Sequence, residues 1–325
     1  MGFFNQRLYS GFVHAGYADF QFDCNVEAFR CGTCAEGANA DSAFNFGVCR
    51  NNDFFEAADE LHRAQKAGRV ARCKQLLGVN AAACAAQGAE LAFTFLGDAL
   101  ERRVRPLAAG VGSSIIAPCD VSDDASIDAA FATIGQSWDG IDFVVHAIGW
   151  ADKAYLRGKY LDTPRAAFVQ ALDISCFSFT AVAQRAVPMM RRGGSLLTMS
   201  YLGAERVMPH YNVMGVAKAA LESSVRYLAA DLGSQGIRVN ALSAGPMKTL
   251  AASGIGDFRY ILRWNQYNSP LERNVTLEQV GGAGMYLLSP LSSGVTGEVH
   301  HVDSGYHVVG MKNPAAPDIN VDSST

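Results

Sequence analysis

From about Asn80 onward, short apolar runs alternate with longer stretches of helical spacing, and this alternation limits the fold more than any other feature. The apolar runs are Glu90 to Phe95, Ser114 to Pro118, Ile141 to Ile148, Gly194 to Ser200, Ile237 to Ser243 and Glu298 to Val302. Between them, helical spacing covers Ala81 to Gln87 (closed by Gly88), Ala99 to Ala108, Asp123 to Ile134, Ala166 to Met190, Tyr211 to Leu232 and a segment starting near Leu277. Ser122 or Asp123 is suited to cap the third of these helices. Ile141 to Ile148 is almost continuously apolar, which predicts a parallel strand buried on both faces. Strands separated by helices of about ten residues or more build parallel βαβ units. The expectation is an α/β fold with a doubly wound, Rossmann-like parallel sheet in a single domain. Such sheets bind ligands at the carboxyl ends of their strands.

Residues 1–80 break the pattern. They mix Phe, Asn, Gly, Ala and Cys with little periodicity, and Asp53 to Gln75 is their one helix candidate. The expected organisation is an irregular segment over 1–80, the α/β domain over 81–310, and a polar, disordered tail over 311–325. Six of the eight cysteines fall in the first 84 residues. Cys24, Cys31, Cys34 and Cys49 include a single Cys-x2-Cys, whereas a zinc ribbon shows two close pairs, so no metal site is expected. Hydrophobic residues at 49% and charged ones at 18% suit a buried core, and a net charge of -4 without a basic block argues against a nucleic-acid partner. No run of about 18 apolar residues and no charged-then-apolar leader is visible, so the expectation is no membrane span, no signal peptide and a cytoplasmic location.

Tyr211 and Lys218 stand at i and i+7 on a predicted helix, two turns apart on one face. A phenol titrates near 10, and an adjacent ammonium is expected to stabilise its phenolate. The pair suits a site where negative charge develops on a substrate oxygen. As a bare spacing it is far more often a half-buried aromatic and a solvated lysine, since Tyr-x6-Lys recurs by chance. A second phenol, Tyr201, follows the run Gly194 to Ser200, at a strand's carboxyl end.

The neighbours decide between these readings. Ser200-Tyr201-Leu202-Gly203-Ala204-Glu205-Arg206, followed by Tyr211-Asn212-Val213-Met214-Gly215-Val216-Ala217-Lys218, resembles the catalytic segment of bacterial enoyl-acyl-carrier-protein reductases. These are relatives of the short-chain dehydrogenases that use Tyr-x6-Lys in place of Tyr-x3-Lys. The blocks AQGAELAFTF, CDVSDDASID, HAIG, RVNALSAGPMKTLAASGI and TGEVHHVDSGY follow the same family in order, so the resemblance spans roughly Ala82 to Met311. It implies NADH-dependent reduction of a trans-2-enoyl thioester presented by acyl carrier protein in type II fatty-acid synthesis. It further implies Tyr211 on the thioester carbonyl, Lys218 on the nicotinamide ribose, Tyr201 as a second active-site tyrosine, and Asp120 and Val121 at the adenine. Ile148 would line the cofactor cleft, Ala151 would lie near the substrate, and Met247, Thr249 and Ala251 would sit at the nicotinamide end. Leu250 to Trp264 would form a lid, and the family assembles as homotetramers. The ordinary alternatives are a helix cap for Asp120, core for Ile148 and lid packing for Ala251. Leu96 departs from relatives that carry Gln near the adenine.

One block is missing. The family's first strand runs into a glycine-rich turn whose backbone N–H groups meet the pyrophosphate. GRVARCKQLLGVNAA stands where it belongs, and Gly11/Gly16 and Gly32/Gly37 lack a flanking strand and helix. A frame-shifted or mis-joined first βα unit would account for this, because shifting the codons of Arg72 to Gln75 by one base permits Val-Ala-Asn. The first strand lies centrally in such a sheet, so its absence predicts two unpaired edges. Two other readings remain open from the sequence: a 3-ketoacyl-type short-chain oxidoreductase, and an inactive paralogue without the pyrophosphate loop.

Overall fold

The computed structural model describes residues 76–247 and 257–319. In chain order these fold as α1 (Leu76–Ala85), β1 (Ala92–Phe95), α2 (Gly97–Gly110), β2 (Ile115–Pro118), α3 (Asp124–Gly135) and β3 (Phe143–His146). Then come α4 (Arg165–Leu172), a π turn (Asp173–Phe177), α5 (Ser178–Ala186), β4 (Gly194–Ser200), α6 (Asn212–Leu232) and β5 (Ile237–Ala244). The last elements are α7 (Phe258–Asn268), α8 (Leu277–Leu288) and β6 (Val299–Val302). Every ladder is parallel, as the helical crossovers require.

The strands form two ladders, β1-β2 and β3-β4-β5-β6. Among the described residues no strand joins them, which is the gap that a missing first strand predicts. Burial follows the gap. In β4 every residue after Gly194 is buried, and β5 is buried except at Arg238. In β3, by contrast, Phe143, Val144 and Val145 are only half-buried. The expected two-sided burial of Ile141 to Ile148 therefore fails at the strand next to the break, where half of the covering neighbours are absent among the described residues.

Local sequence explains the helix ends. Asp123, of the two residues suited to it, caps α3 by accepting the Ala125 N–H at 3.0 Å. Thr276 and Gln279 close a reciprocal capping box on α8, two otherwise orphaned N–H groups satisfied at once. At the other end of α8, Arg238 reaches across from β5. Its guanidinium donates to the Leu287 and Ser289 carbonyls at 2.7 and 3.1 Å and to Ser292 Oγ at 2.7 Å. Gly193 must be glycine twice over: its φ is +83°, and a Cβ there would stand 2.6 Å from the Gly236 carbonyl oxygen.

Three expectations need correction. α1 starts at Leu76, so regular structure begins before residue 81. The run Arg165–Met189 has 25 residues and a mean hydropathy of 1.5, long and apolar enough by composition to cross a membrane. Ala167, Ala171, Ser175, Phe179, Ala181, Ala183 and Ala186 are buried along it, and it packs on α3 and α6 as a core segment. Residues 311–319 do not stand apart as a tail, since the Asn313 N–H donates to Asn268 Oδ1 on α7 at 2.8 Å.

Candidate active site

The end of β4 and the start of α6 meet at the carboxyl edge of the sheet. Tyr201 follows the last residue of β4, and Tyr211 is the N-cap of α6. Their rings contact edge to face, with centroids 5.1 Å apart and planes at 72°. Glycines make this approach possible: a Cβ on Gly203 would lie 2.3 Å from the Tyr211 ring, and one on Gly215 would lie 2.7 Å from the Gly203 carbonyl oxygen. Tyr211 is 8% exposed and Lys218 6%. Lys218 Nζ donates to the Met199 carbonyl at 2.8 Å and to the Ile148 carbonyl at 3.1 Å. It therefore ties the end of β4 to the segment leaving β3. An ammonium has three protons, and the third has no partner among the described residues.

Burial dominates the electrostatics. It pushes the Tyr211 hydroxyl well above the ordinary phenol range, with Tyr201 and Glu222 adding to the effect. Tyr201 is raised as well, first by burial and then by Tyr306 and Asp303. The expectation that Lys218 would lower the Tyr211 value fails. The ammonium is spent on two carbonyls, and desolvation of a phenolate outweighs it. Tyr211 is a neutral hydrogen-bond donor here. Lys218 is itself brought down to about 8 by burial, with Cys176 and Glu222 acting in the opposite sense.

The other predicted positions divide into three groups. Ile148 is half-buried and enters through its backbone oxygen. Ala151 is buried in a small apolar cluster with Leu156, Tyr211, Val213 and Met214. Asp120 and Val121 lie just past β2, in the ladder that does not contain β4. Asp120 does not cap α3. Its Oδ1 instead accepts the Ser122 N–H at 2.9 Å and hydroxyl at 2.6 Å, which holds its carboxyl below the usual range. Oδ2 stays open toward a polar ligand. Met247 is 8% exposed and belongs to the main core. Thr249, Ala251 and the first part of the expected lid lie outside the described residues, as do Gly11, Gly16, Gly32, Gly37 and the cysteines considered for zinc. Leu96 is 54% exposed at the N-cap of α2.

The structure also brings in residues that the spacing did not reveal. His146 is fully enclosed, with Nδ1 2.9 Å from Thr198 Oγ1 and Nε2 2.9 Å from Ser178 Oγ. Burial, with the Lys218 charge second, lowers its value to about 3, so it stays neutral. Ser178 follows the π turn, a single widened turn of the kind found near functional sites. Ser175, inside that turn, accepts the Trp150 N–H at 2.8 Å and donates to the Trp150 carbonyl at 2.7 Å. Two serines one turn apart thus fix both β3 and the loop after it.

This arrangement fits a dinucleotide at both of its ends. The described residues offer the third Lys218 proton as a donor and the Asp120 carboxylate as an acceptor. No described residue forms a pyrophosphate cradle.

Comparison with known proteins agrees. A family model described as enoyl-(acyl carrier protein) reductase matches residues 78–307. The chain is 66% identical over 241 residues to enoyl-[acyl-carrier-protein] reductase [NADH] 1 of Rhizobium meliloti (strain 1021), covering 74% of this chain and 89% of that protein. It is 52% identical over 223 residues to the NADH enzyme of Rickettsia typhi, covering 69% and 85%. Among solved structures, the Anaplasma phagocytophilum enoyl-(acyl-carrier-protein) reductase in complex with NAD aligns with a TM-score of 0.72 at 56% identity, over 76% of this chain and 92% of that one. The NADH reductase of Aquifex aeolicus VF5 aligns with a TM-score of 0.71 at 42% identity, over 74% and 96%.

Proposed function

The chain belongs to the enoyl-(acyl carrier protein) reductase family, and from that premise we infer that it reduces the trans-2 double bond of an enoyl thioester with NADH, in fatty-acid synthesis. The observation that carries this reading is the joined geometry of Tyr211, Tyr201 and Lys218 at the carboxyl end of β4. Bound NADH supplies a hydride to C3 of the substrate. The protein then has to hold the negative charge that gathers on the thioester oxygen and admit a proton at C2. Tyr211, protonated and buried, donates a hydrogen bond to that oxygen. A donor already aimed and desolvated stabilises developing charge more than water does. Tyr201 packs against the Tyr211 ring and limits its swing. Lys218 holds the nicotinamide ribose with its third proton while its other two keep β3 and β4 in register. Ala151, Leu156 and Met214 supply the apolar wall that a fatty chain needs. Asp120 and Val121 hold the adenosine half, and Met247, Thr249 and Ala251 close the nicotinamide end, with the segment around Leu250 to Trp264 as a lid.

The substrate arrives on acyl carrier protein, and the working form is a cytoplasmic homotetramer. Exposed Val169, Phe177 and Tyr227 on α4, the π turn and α6 support an assembled state, since apolar side chains of this size are costly to leave in water. NADH oxidation with crotonyl thioester tests the reaction. Turnover of 3-ketoacyl thioesters without turnover of enoyl thioesters would move the assignment to another short-chain oxidoreductase. An enzyme that binds no NADH by fluorescence titration would be an inactive relative.

A further inference from the structure

Glu222 is a buried carboxyl group that no step above uses. It is 6% exposed and stands on α6 one turn beyond Lys218. Side chains at i and i+4 are neighbours, with Cβ atoms about 5–6 Å apart. Glu222 Oε1 accepts the Ser200 hydroxyl in a short hydrogen bond. Ser200, 5% exposed, sits between Met199, whose carbonyl receives Lys218 Nζ at 2.8 Å, and Tyr201. A closed circuit results: Glu222 to Ser200, along the backbone to Met199, to Lys218 Nζ, and down one turn of α6 to Glu222.

The charges around this circuit are few. Glu222 faces Glu205 from the turn after Tyr201, His301 from β6 and Arg226 from its own helix. His301 is engaged by Glu205 at 2.7 Å. Lys218 faces Cys176 from the π turn and His146 from β3, neither of them a fixed charge. The Tyr211 hydroxyl near both is neutral. A buried ammonium among carbonyl dipoles needs a counter-charge, and a buried carboxylate needs a cation. Lys218 and Glu222 form no ion pair within 4.0 Å, so each acts on the other across one turn of α6; burial raises the Glu222 carboxyl, and the Ser200 hydroxyl draws it back down.

We propose that Glu222 is a positioning residue, whose carboxylate, held by Ser200, is the counter-charge that keeps Lys218 an ammonium on the Met199 and Ile148 carbonyls. The proposal rests on the reading of Tyr211 and Lys218 as the reductase site. Glu222 touches neither substrate nor cofactor and acts through Lys218.

The test is competitive labelling of the full chain with acetic anhydride across pH, read lysine by lysine by mass spectrometry, with exposed Lys153 as internal reference. Glu222→Gln keeps an oxygen for Ser200 and removes the charge. The Lys218 midpoint is expected to fall by about one pH unit. In the same variant the alkaline limb of kcat/KM for enoyl reduction moves to lower pH by the same amount. Ser200→Ala keeps the charge but frees it, and a smaller shift in the same direction is expected. A Lys218 midpoint unchanged in Glu222→Gln overturns the proposal; if that variant does not fold, an unchanged midpoint in Ser200→Ala overturns it. Labelling needs no turnover. A chain that fails to reduce enoyl thioesters therefore counts against the function, and an unmoved midpoint counts against Glu222.

Discussion

Tyr211 stands as a phenol rather than a phenolate, because burial outweighs the nearby ammonium. Tyr211→Phe removes the donor and little else. It should lower kcat/KM for crotonyl thioester by about 10²–10³-fold, while the NADH dissociation constant stays put. Tyr201→Phe keeps the ring that packs on Tyr211 and should lose less. His146 makes a pH prediction. Its folded value is about 3 against an ordinary 6.5. The unfolded chain therefore binds a proton that the folded chain refuses as pH falls below 6.5. Stability from this group is intact above 6.5 and drops by roughly 1.4 kcal/mol for each pH unit between 6 and 4. Urea titrations of His146→Asn should show a flatter acid limb; an equally steep limb would show that other groups govern it. The meeting of Tyr211, Lys218 and Tyr201 at the end of β4 was legible in the sequence, because their spacing sits inside distinctive neighbours. His146, Ser175, Ser178 and Glu222 were not. Each acquires its role from a partner dozens of residues away, and only the fold brings the two together.

Helix ends carry much of the local stability. Arg238 adds charge-assisted hydrogen bonds to carbonyls at the end of α8 that serine hydroxyls also reach, and its planar fork meets several acceptors at once. Arg238→Met should lower unfolding free energy by about 2–3 kcal/mol in urea melts, far more than Thr276→Ala at the opposite end, worth about 1 kcal/mol. The N-terminal cap of α8 is readable from Thr276 and Gln279 at the box spacing. The Arg238 clamp is not, because it depends on β5 lying beneath α8. The same distinction explains the long run Arg165–Met189. Its helical periodicity is plain, but the π turn at Asp173–Phe177 has no mark of its own in the sequence. It appears because Ser175 and Ser178 must face Trp150 and His146 together, and one inserted residue rotates the face to allow it.

The succession of strands and helices along the chain and the parallel pairing were legible from the alternation of runs, and so was the break between ladders among the described residues, because the glycine-rich block is not visible where it belongs. The depth of burial in β3 was not, since an apolar sequence does not say which neighbour is absent. β1-β2 and β3-β4-β5-β6 share one apolar core without a shared ladder among the described residues. Native-state hydrogen exchange should therefore find the amides of β4 and β5 most protected and those of β1, β2 and β3 exchanging sooner. Uniform protection across all six strands would contradict this. The ladders have a further consequence, which concerns time. Gly194 pairs with Ile237 and Ala241 with Val299, so on the order of 40–60 residues separate the partners of each rung. At ribosomal speeds β5 waits roughly 3–12 s after its own emergence before β6 exists to cover its flank. Throughout that interval the nascent chain presents the backbone N–H and C=O groups of Ala241, Leu242, Ser243 and Ala244 as an unpaired edge.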